Sequence, residues 1–270
     1  MKKYLIVGII ALGLVYSCAT NPMTGKKSLN AVSNASLFPT SFQQYGTFLN
    51  ENKVISGTAD ARKVEVVGMR IKAAAEKYLT YLGKTDYLNA YRWEYKLIDS
   101  KEVNAWCMPG GKIVVYSGIL PVTLNDSGLA TVMGHEVAHA LSDHGAQRMT
   151  TAQAQQLGGA VVGAATGGKS QQTQQIWNQA YGLSTQLGIM LPFSRGHETE
   201  ADQIGLTLMT IAGYNPEESI TFWSRMAAKS TGQAPPEFMS THPSDATRIA
   251  NLKALIPEAR AIAAKVGVMK

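Results

Sequence analysis

Across residues 58–82, apolar side chains recur at Val64, Val67, Ile71, Ala74, Ala75 and Tyr78, with polar and charged residues between them. Steps of three and four place these six on one face of a helix, so the segment is expected to be an amphipathic helix packed on a core. Helical patterning begins earlier, near Ser41. The period then changes: residues 91–98 alternate, and after Pro109-Gly110-Gly111 the run Lys112-Ile113-Val114-Val115-Tyr116 is apolar and β-branched. A small strand unit with a hairpin-like turn follows from this. Helical spacing returns through Leu129, Val132, Met133, Val137, Ala140 and Leu141, with Asn125 or Asp126 as the cap. A polar helix over residues 171–190, another starting at Ser194, and helices after Pro216 and Pro243 complete the pattern. Helices, then short strands, then helices predict an α+β fold that is mainly α, with a small β-sheet or hairpin next to the helix from Asn125.

Composition narrows the function classes. Of the 270 residues, 45% are hydrophobic and 16% charged, enough for one full core with moderate surface charge. The net charge of +6 includes Lys2 and Lys3, and the lysines and arginines are dispersed, so nucleic acid is not an expected partner. The uncharged apolar stretch 4–16 is shorter than the roughly 20 residues that a spanning helix needs and reads as a signal-peptide core. It runs into Val15-Tyr16-Ser17-Cys18, a lipobox-like ending. Residues 1–17 are therefore expected to be a lipoprotein signal peptide, Cys18 the lipidation site, and 18–40 a tether with a few ordered contacts. With Cys18 acylated, Cys107 has no partner and no disulfide framework arises. Ala19, in place of aspartate, favours the outer membrane, facing the periplasm. Gly159, Gly163 and Gly167 recur every fourth residue and read as a flexible loop beside the active site.

The chemistry lies in His135-Glu136-Val137-Ala138-His139. Histidines four apart on a helix project about 40° from one another, so both imidazoles reach one metal ion. Glu136 is offset around the helix, off the metal and beside a water bound to it, the place of a general base. A catalytic zinc takes three protein ligands. Ser142 and Gly145 break the continuation that a metzincin requires, so the third ligand must come from farther on. In Phe193-Ser194-Arg195-Gly196-His197-Glu198-Thr199-Glu200-Ala201-Asp202, Glu198 and Asp202 share a helix face. Glu198 can complete a site of two histidines and a glutamate. Asp202, one turn on, can accept from a ligand histidine's other ring nitrogen. His197 and Glu200 compete for the ligand role but point about 100° or more away. His144 reads as a structural or ligand-supporting residue, and Cys107 as a plain buried thiol.

Four blocks, NAWCMPGGKIVVYSGIL, GHEVAHALSDHGAQRM, FSRGHETEADQIGL and THPSDATRI, span residues 104–252. They resemble the membrane-associated zinc peptidases of the CAAX prenyl endopeptidase and HtpX type, most closely their periplasmic lipoprotein branch, the LoiP and BepA type. The resemblance implies a zincin-like helical peptidase domain, here residues 41–270, with one zinc ion per chain and Glu198 as its third ligand. On its own residues, His242 reads as a surface histidine ahead of a proline-started helix. The resemblance returns it to the active site, to donate to an oxyanion or, at rest, to fill the open zinc position. Asn104, Ala105 and Trp106, followed by Gly110 and Gly111, are expected to offer an open strand edge to an extended peptide.

The expected activity is therefore a zinc endopeptidase acting on unfolded or misassembled envelope proteins, tethered to the membrane through Cys18. The competing expectation is a periplasmic chaperone or assembly-factor lipoprotein that uses the same fold only to bind.

Overall fold

The computed structural model describes residues 18–30, 33–150, 195–229, 236–242 and 246–267. In chain order these form β1 (Cys18–Thr20), β2 (Lys27–Leu29), α1 (Asn34–Glu51), β3 (Val54–Ile55), α2 (Ala59–Tyr81), β4 (Glu94–Ile98), β5 (Ala105–Met108) and β6 (Lys112–Tyr116). There follow α3 (Leu120–Thr123), α4 (Asp126–Leu141), a helical segment at 144–150, α5 (Arg195–Ile211), α6 (Glu218–Lys229), α7 (Glu237–Thr241) and α8 (Ala246–Lys265). The architecture is the mainly helical α+β fold that the periodicity predicts. The expected helix at 171–190, the Ser194 cap and the glycine series at 159, 163 and 167 lie outside the described residues.

The six apolar positions of the first pattern all lie buried on α2, whose start is capped by the Thr58 side chain accepting from the Ala61 N–H. α4 differs in kind. Every residue from Gly128 to Leu141 is buried, as expected of a helix that is apolar on all sides and runs through the core. Asn125 Oδ1 caps it, accepting from the Gly128 N–H at 2.9 Å.

One four-stranded sheet, in the order β3-β4-β6-β5, lies beside α4. β4 and β6 pair in parallel, with Tyr95 opposite Ile113, while β5 and β6 form an antiparallel hairpin with Cys107 opposite Ile113. Side chains of β6 alternate between two apolar clusters: Ile113 and Val115 join the main core, and Val114 and Tyr116 join a smaller one with Tyr45 and Phe48 of α1. The sheet is thus held from both faces, and β5 is left at its edge.

The segment expected as a tether makes ordered contacts in its described residues. β1 and β2 pair antiparallel, and Asn21 and Met23 in their turn are buried. α1 starts at Asn34, capped by Ser33, and runs through Pro39, which stands within the helix. A proline removes one backbone donor, and that masked the helical pattern ahead of Ser41 in the sequence.

α4 and α5 cross almost backbone to backbone. A Cβ added to Gly134 would lie 2.9 Å from the Gly205 carbonyl oxygen, and one added to Gly205 would lie 2.8 Å from the His135 backbone nitrogen. Both atoms belong to main chain and cannot rotate aside. Gly205→Ala is expected to force the helices apart, at a cost of about 1–3 kcal/mol. Urea unfolding of the purified variant checks this, and unchanged stability would contradict the tight crossing.

Candidate metal centre

The crossing sets α5 against the end of α4 that carries the histidines. His135 Nε2 and His139 Nε2 lie 3.0 Å apart. Glu198, in the first turn of α5, places Oε2 3.4 Å from His135 Nε2 and Oε1 3.3 Å from His139 Nε2. His242, at the end of α7, adds Nδ1 at 3.2 Å from His135 Nε2 and 3.0 Å from Glu198 Oε1. All four side chains are buried, and one ligand atom from each lies within 4.8 Å of the others.

These separations test whether a metal fits. Ligands about 2.0–2.1 Å from a tetrahedral zinc stand about 3.3 Å from one another. Five pairs of nitrogen and oxygen atoms, taking both Glu198 oxygens, lie 3.0 to 3.4 Å apart, and one atom from each residue stays within 4.8 Å of the others. Three imidazoles crowded nitrogen to nitrogen around a carboxylate, away from water, make a donor set suited to a divalent cation. Glu136, next in the chain to His135, stays outside the group, with Oε1 3.3 Å from His242 Nε2.

The family model for peptidase family M48 matches residues 69–256, which hold all of these side chains. The chain belongs to peptidase family M48. It is 36% identical over 207 residues to the mitochondrial metalloendopeptidase OMA1 of Saccharomyces cerevisiae, covering 74% of this chain and 57% of the yeast protein. The same-named protein of Schizosaccharomyces pombe is 37% identical over 170 residues, 63% of this chain and 48% of that one. The beta-barrel assembly-enhancing protease of Escherichia coli is 28% identical over 171 residues, 60% of this chain and 34% of that one. The chain therefore spans about half the length of the OMA1 relatives it matches. Identity to these OMA1 proteins exceeds identity to the BepA-type protease, so the expected likeness to the lipoprotein branch is the weaker of the two.

Around the M48 donor group, charges are arranged in opposite senses. Burial raises the Glu136 carboxyl above the ordinary range, against the pull of His242 and His135. For Glu198 burial works the same way, but His135, His139 and His242 outweigh it and hold the carboxyl well below that range. Asp202 is likewise held low: burial opposes, and Arg248 and His135 prevail. Burial disfavours charge on His135, yet Glu198 and Asp202 raise its pKa to about 9.

Asp202 stands where the spacing placed it, with Oδ1 3.0 Å from His135 Nδ1. Its own anchor is Arg248, a residue that sequence reasoning passed over. Nε and Nη2 of Arg248 donate to the two Asp202 oxygens at 2.7 Å each, Nη1 lies 2.9 Å from Glu198 Oε2, and the guanidinium stacks on Trp223 at 3.5 Å. The signal was present: two buried carboxylates on one helix face require a cation, and Arg248 lies in the same block as His242.

His144 and Glu200 are buried behind His139, and His197 stacks on His144 with centroids 4.2 Å apart. Cys107 has its thiol pushed well up, first by burial and then by the Glu136 carboxylate, as suits an inert thiol. Of the residues expected to meet substrate, Ala105 and Trp106 lie on the edge strand β5. Trp106 packs its ring edge-to-face on Phe48. Asn104, just before β5, is buried, and its Oδ1 accepts from the Ala105 N–H at 2.9 Å. Gly110 and Gly111 are accounted for otherwise. Both have φ near +86°, at 87° and 85°, and a Cβ would strike Phe42 and Trp93 respectively. They make the β5–β6 turn possible, and their carbonyls accept from the Arg92 and Glu94 N–H groups.

Replacing Arg248 with Met should destabilise the metal-free chain by about 3–5 kcal/mol, because Asp202 and Glu198 lose their buried cation. Urea titration of both chains measures the difference. A loss under about 1 kcal/mol would contradict the clamp.

Proposed function

We propose that this chain is a zinc-dependent endopeptidase that cleaves unfolded or misassembled proteins in envelope quality control. The observation that carries the reading is the convergence of His135, His139, Glu198 and His242 on one point, with Glu136 beside them and outside the donor group. His135, His139 and Glu198 would hold the metal. Zinc supplies Lewis acidity toward water and the scissile carbonyl. Glu136 takes a proton from the attacking water at its carboxylate and returns it to the departing amine nitrogen. Burial raises its carboxyl above the ordinary range, so it holds a transferred proton more readily than an exposed glutamate would. His242 would serve as a further donor to the metal at rest, and its Nε2, 3.3 Å from Glu136 Oε1, would donate to an oxyanion once substrate displaces the ring.

An extended peptide added to the outer edge of β5 would run past Glu136, because β5 packs against α4, the helix that carries it. Main-chain pairing reads little sequence, which favours unfolded segments as substrates. The likeness to a beta-barrel assembly-enhancing protease supports the quality-control setting.

With zinc bound, Glu136→Gln should keep its metal yet cleave denatured casein at least ~100-fold more slowly. Zinc content and fragment release are measured on the same sample. Normal turnover in a zinc-loaded Glu136→Gln chain would overturn the base assignment. A zinc-loaded wild type that binds casein and releases no fragments would favour the chaperone reading instead.

We further propose attachment through acylated Cys18 to the bacterial outer membrane, on the periplasmic face. The lipobox-like ending supports this, and among the described residues no helix is long and apolar enough to cross a membrane. Cells fed labelled palmitate should mark the wild type and leave Cys18→Ala unmarked. Equal labelling of the two would exclude Cys18 as the anchor.

A further inference from the structure

The two histidines of the HEVAH segment are supported from behind in unlike ways. His135 Nδ1 meets a carboxylate directly, at 3.0 Å from Asp202 Oδ1. His139 Nδ1 instead lies 2.9 Å from His144 Nδ1, and the other nitrogen of His144 lies 3.2 Å from Glu200 Oε2. Glu200 is gripped in turn by the loop between β1 and β2. Asn21 Nδ2 donates to Oε1 at 2.8 Å, Thr24 Oγ1 donates to Oε1 at 2.6 Å, and Lys26 Nζ donates to Oε2 at 3.2 Å. Asn21 is itself pinned, its Oδ1 accepting from the Met23 N–H at 2.8 Å and its N–H bonding the Lys26 carbonyl at 2.8 Å.

Proton directions along this row follow from its two ends. His139 turns Nε2 to the donor group, so the lone pair belongs there and the proton sits on Nδ1. Two Nδ1 atoms at 2.9 Å need one donor and one acceptor. His144 therefore accepts at Nδ1, carries its proton on Nε2 and donates it to Glu200. Every partner is satisfied by this assignment, and the row ends on an anion.

We infer that His144, Glu200 and the turn at residues 21–26 form a relay that fixes the tautomer of His139 and raises its basicity, making the N-terminal turn a positioning part of the metal site. The relay rests on the reading of the donor group as a metal centre. Glu200 lies two residues beyond Glu198 on α5, so its side chain leaves the helix on another face. A glutamate so placed reaches His144 only if its torsions are held. Donors on both oxygens, supplied by a segment 174 to 179 positions away in the chain, hold them. A carboxylate behind a metal-bound histidine sets ligand orientation and basicity. Here an additional imidazole carries the same influence one residue farther.

The test measures zinc affinity of the purified full chain by competition with a chromophoric chelator, and the melting temperature of the metal-free form. Glu200→Gln and His144→Phe should bind zinc about 10–100-fold more weakly. Asn21→Ala combined with Thr24→Ala should weaken it about tenfold, whereas Thr24→Ser, which keeps the hydroxyl, should bind as the wild type does. Nitrogen NMR of the zinc-bound wild type should find the His139 proton on Nδ1, with its signal displaced in Glu200→Gln. Affinity unchanged in Glu200→Gln and in the Asn21/Thr24 pair overturns the relay, as does a lowered melting temperature without weaker zinc binding. A wild type that takes up no zinc overturns the metal reading beneath it, and that is read before any variant. Should His144→Phe fail to fold, the Asn21/Thr24 pair, in the turn between β1 and β2, decides.

Discussion

The close crossing of α4 and α5 at Gly134 and Gly205 is the constraint from which the site follows. Metal ligands from two helices can converge only if the helix axes come near enough for short side chains to meet. Glutamate and histidine leave little spare reach. Without a Cβ at either position, the Gly205 main chain lies against the His135 backbone, so the turn carrying Glu198 and the turn carrying His139 sit side by side. Other packing in the molecule secures that arrangement. α4 is buried all round, and α2 and the sheet press upon it.

A second constraint is electrostatic. Glu136, Glu198, Glu200 and Asp202 are all buried, and four carboxylates in one interior would repel unless each had its own counterpart. Three have one: Asp202 is clamped by Arg248, Glu198 is surrounded by imidazoles and touched by Arg248, and Glu200 is held by Thr24, Lys26 and His144. Their pKa values are lowered, that of Glu200 to about 2. Glu136 alone is raised, because burial outweighs its histidine neighbours. Opposed environments of this kind separate anions that must stay charged from the group that must exchange a proton. The division falls between residues adjacent in space, and the packing of individual oxygens decides it.

Much of this was legible in the chain because periodicity carries geometry. The six apolar positions of α2, the Asn125 cap, the β-branched run of β6 and the spacing of His135, His139, Glu198 and Asp202 all encode which side chains share a face. What stayed illegible depends on partners distant in sequence. Arg248 looks like any helical arginine until Asp202 is seen beneath it. Glu200 points away from the donor group, as its helical angle requires, and only the tertiary fold shows that it points at His144. Residues 18–40 are polar and aperiodic, so their composition reads as a tether. The turn at residues 21–26 is held by side-chain hydrogen bonds to Glu200, which no local pattern records.

The sheet supplies the remaining piece of geometry, and it does so through its order. With β5 outermost and β6 fixed between two apolar clusters, the hairpin cannot slide without moving Ile113 and Val115 out of one core and Val114 and Tyr116 out of the other. That register sets β5 against α4 and buries the Cys107 thiol, whose pKa is pushed well up. It also explains why β5 can be short: four residues suffice, because the helix beside it and the strand behind it hold it in place.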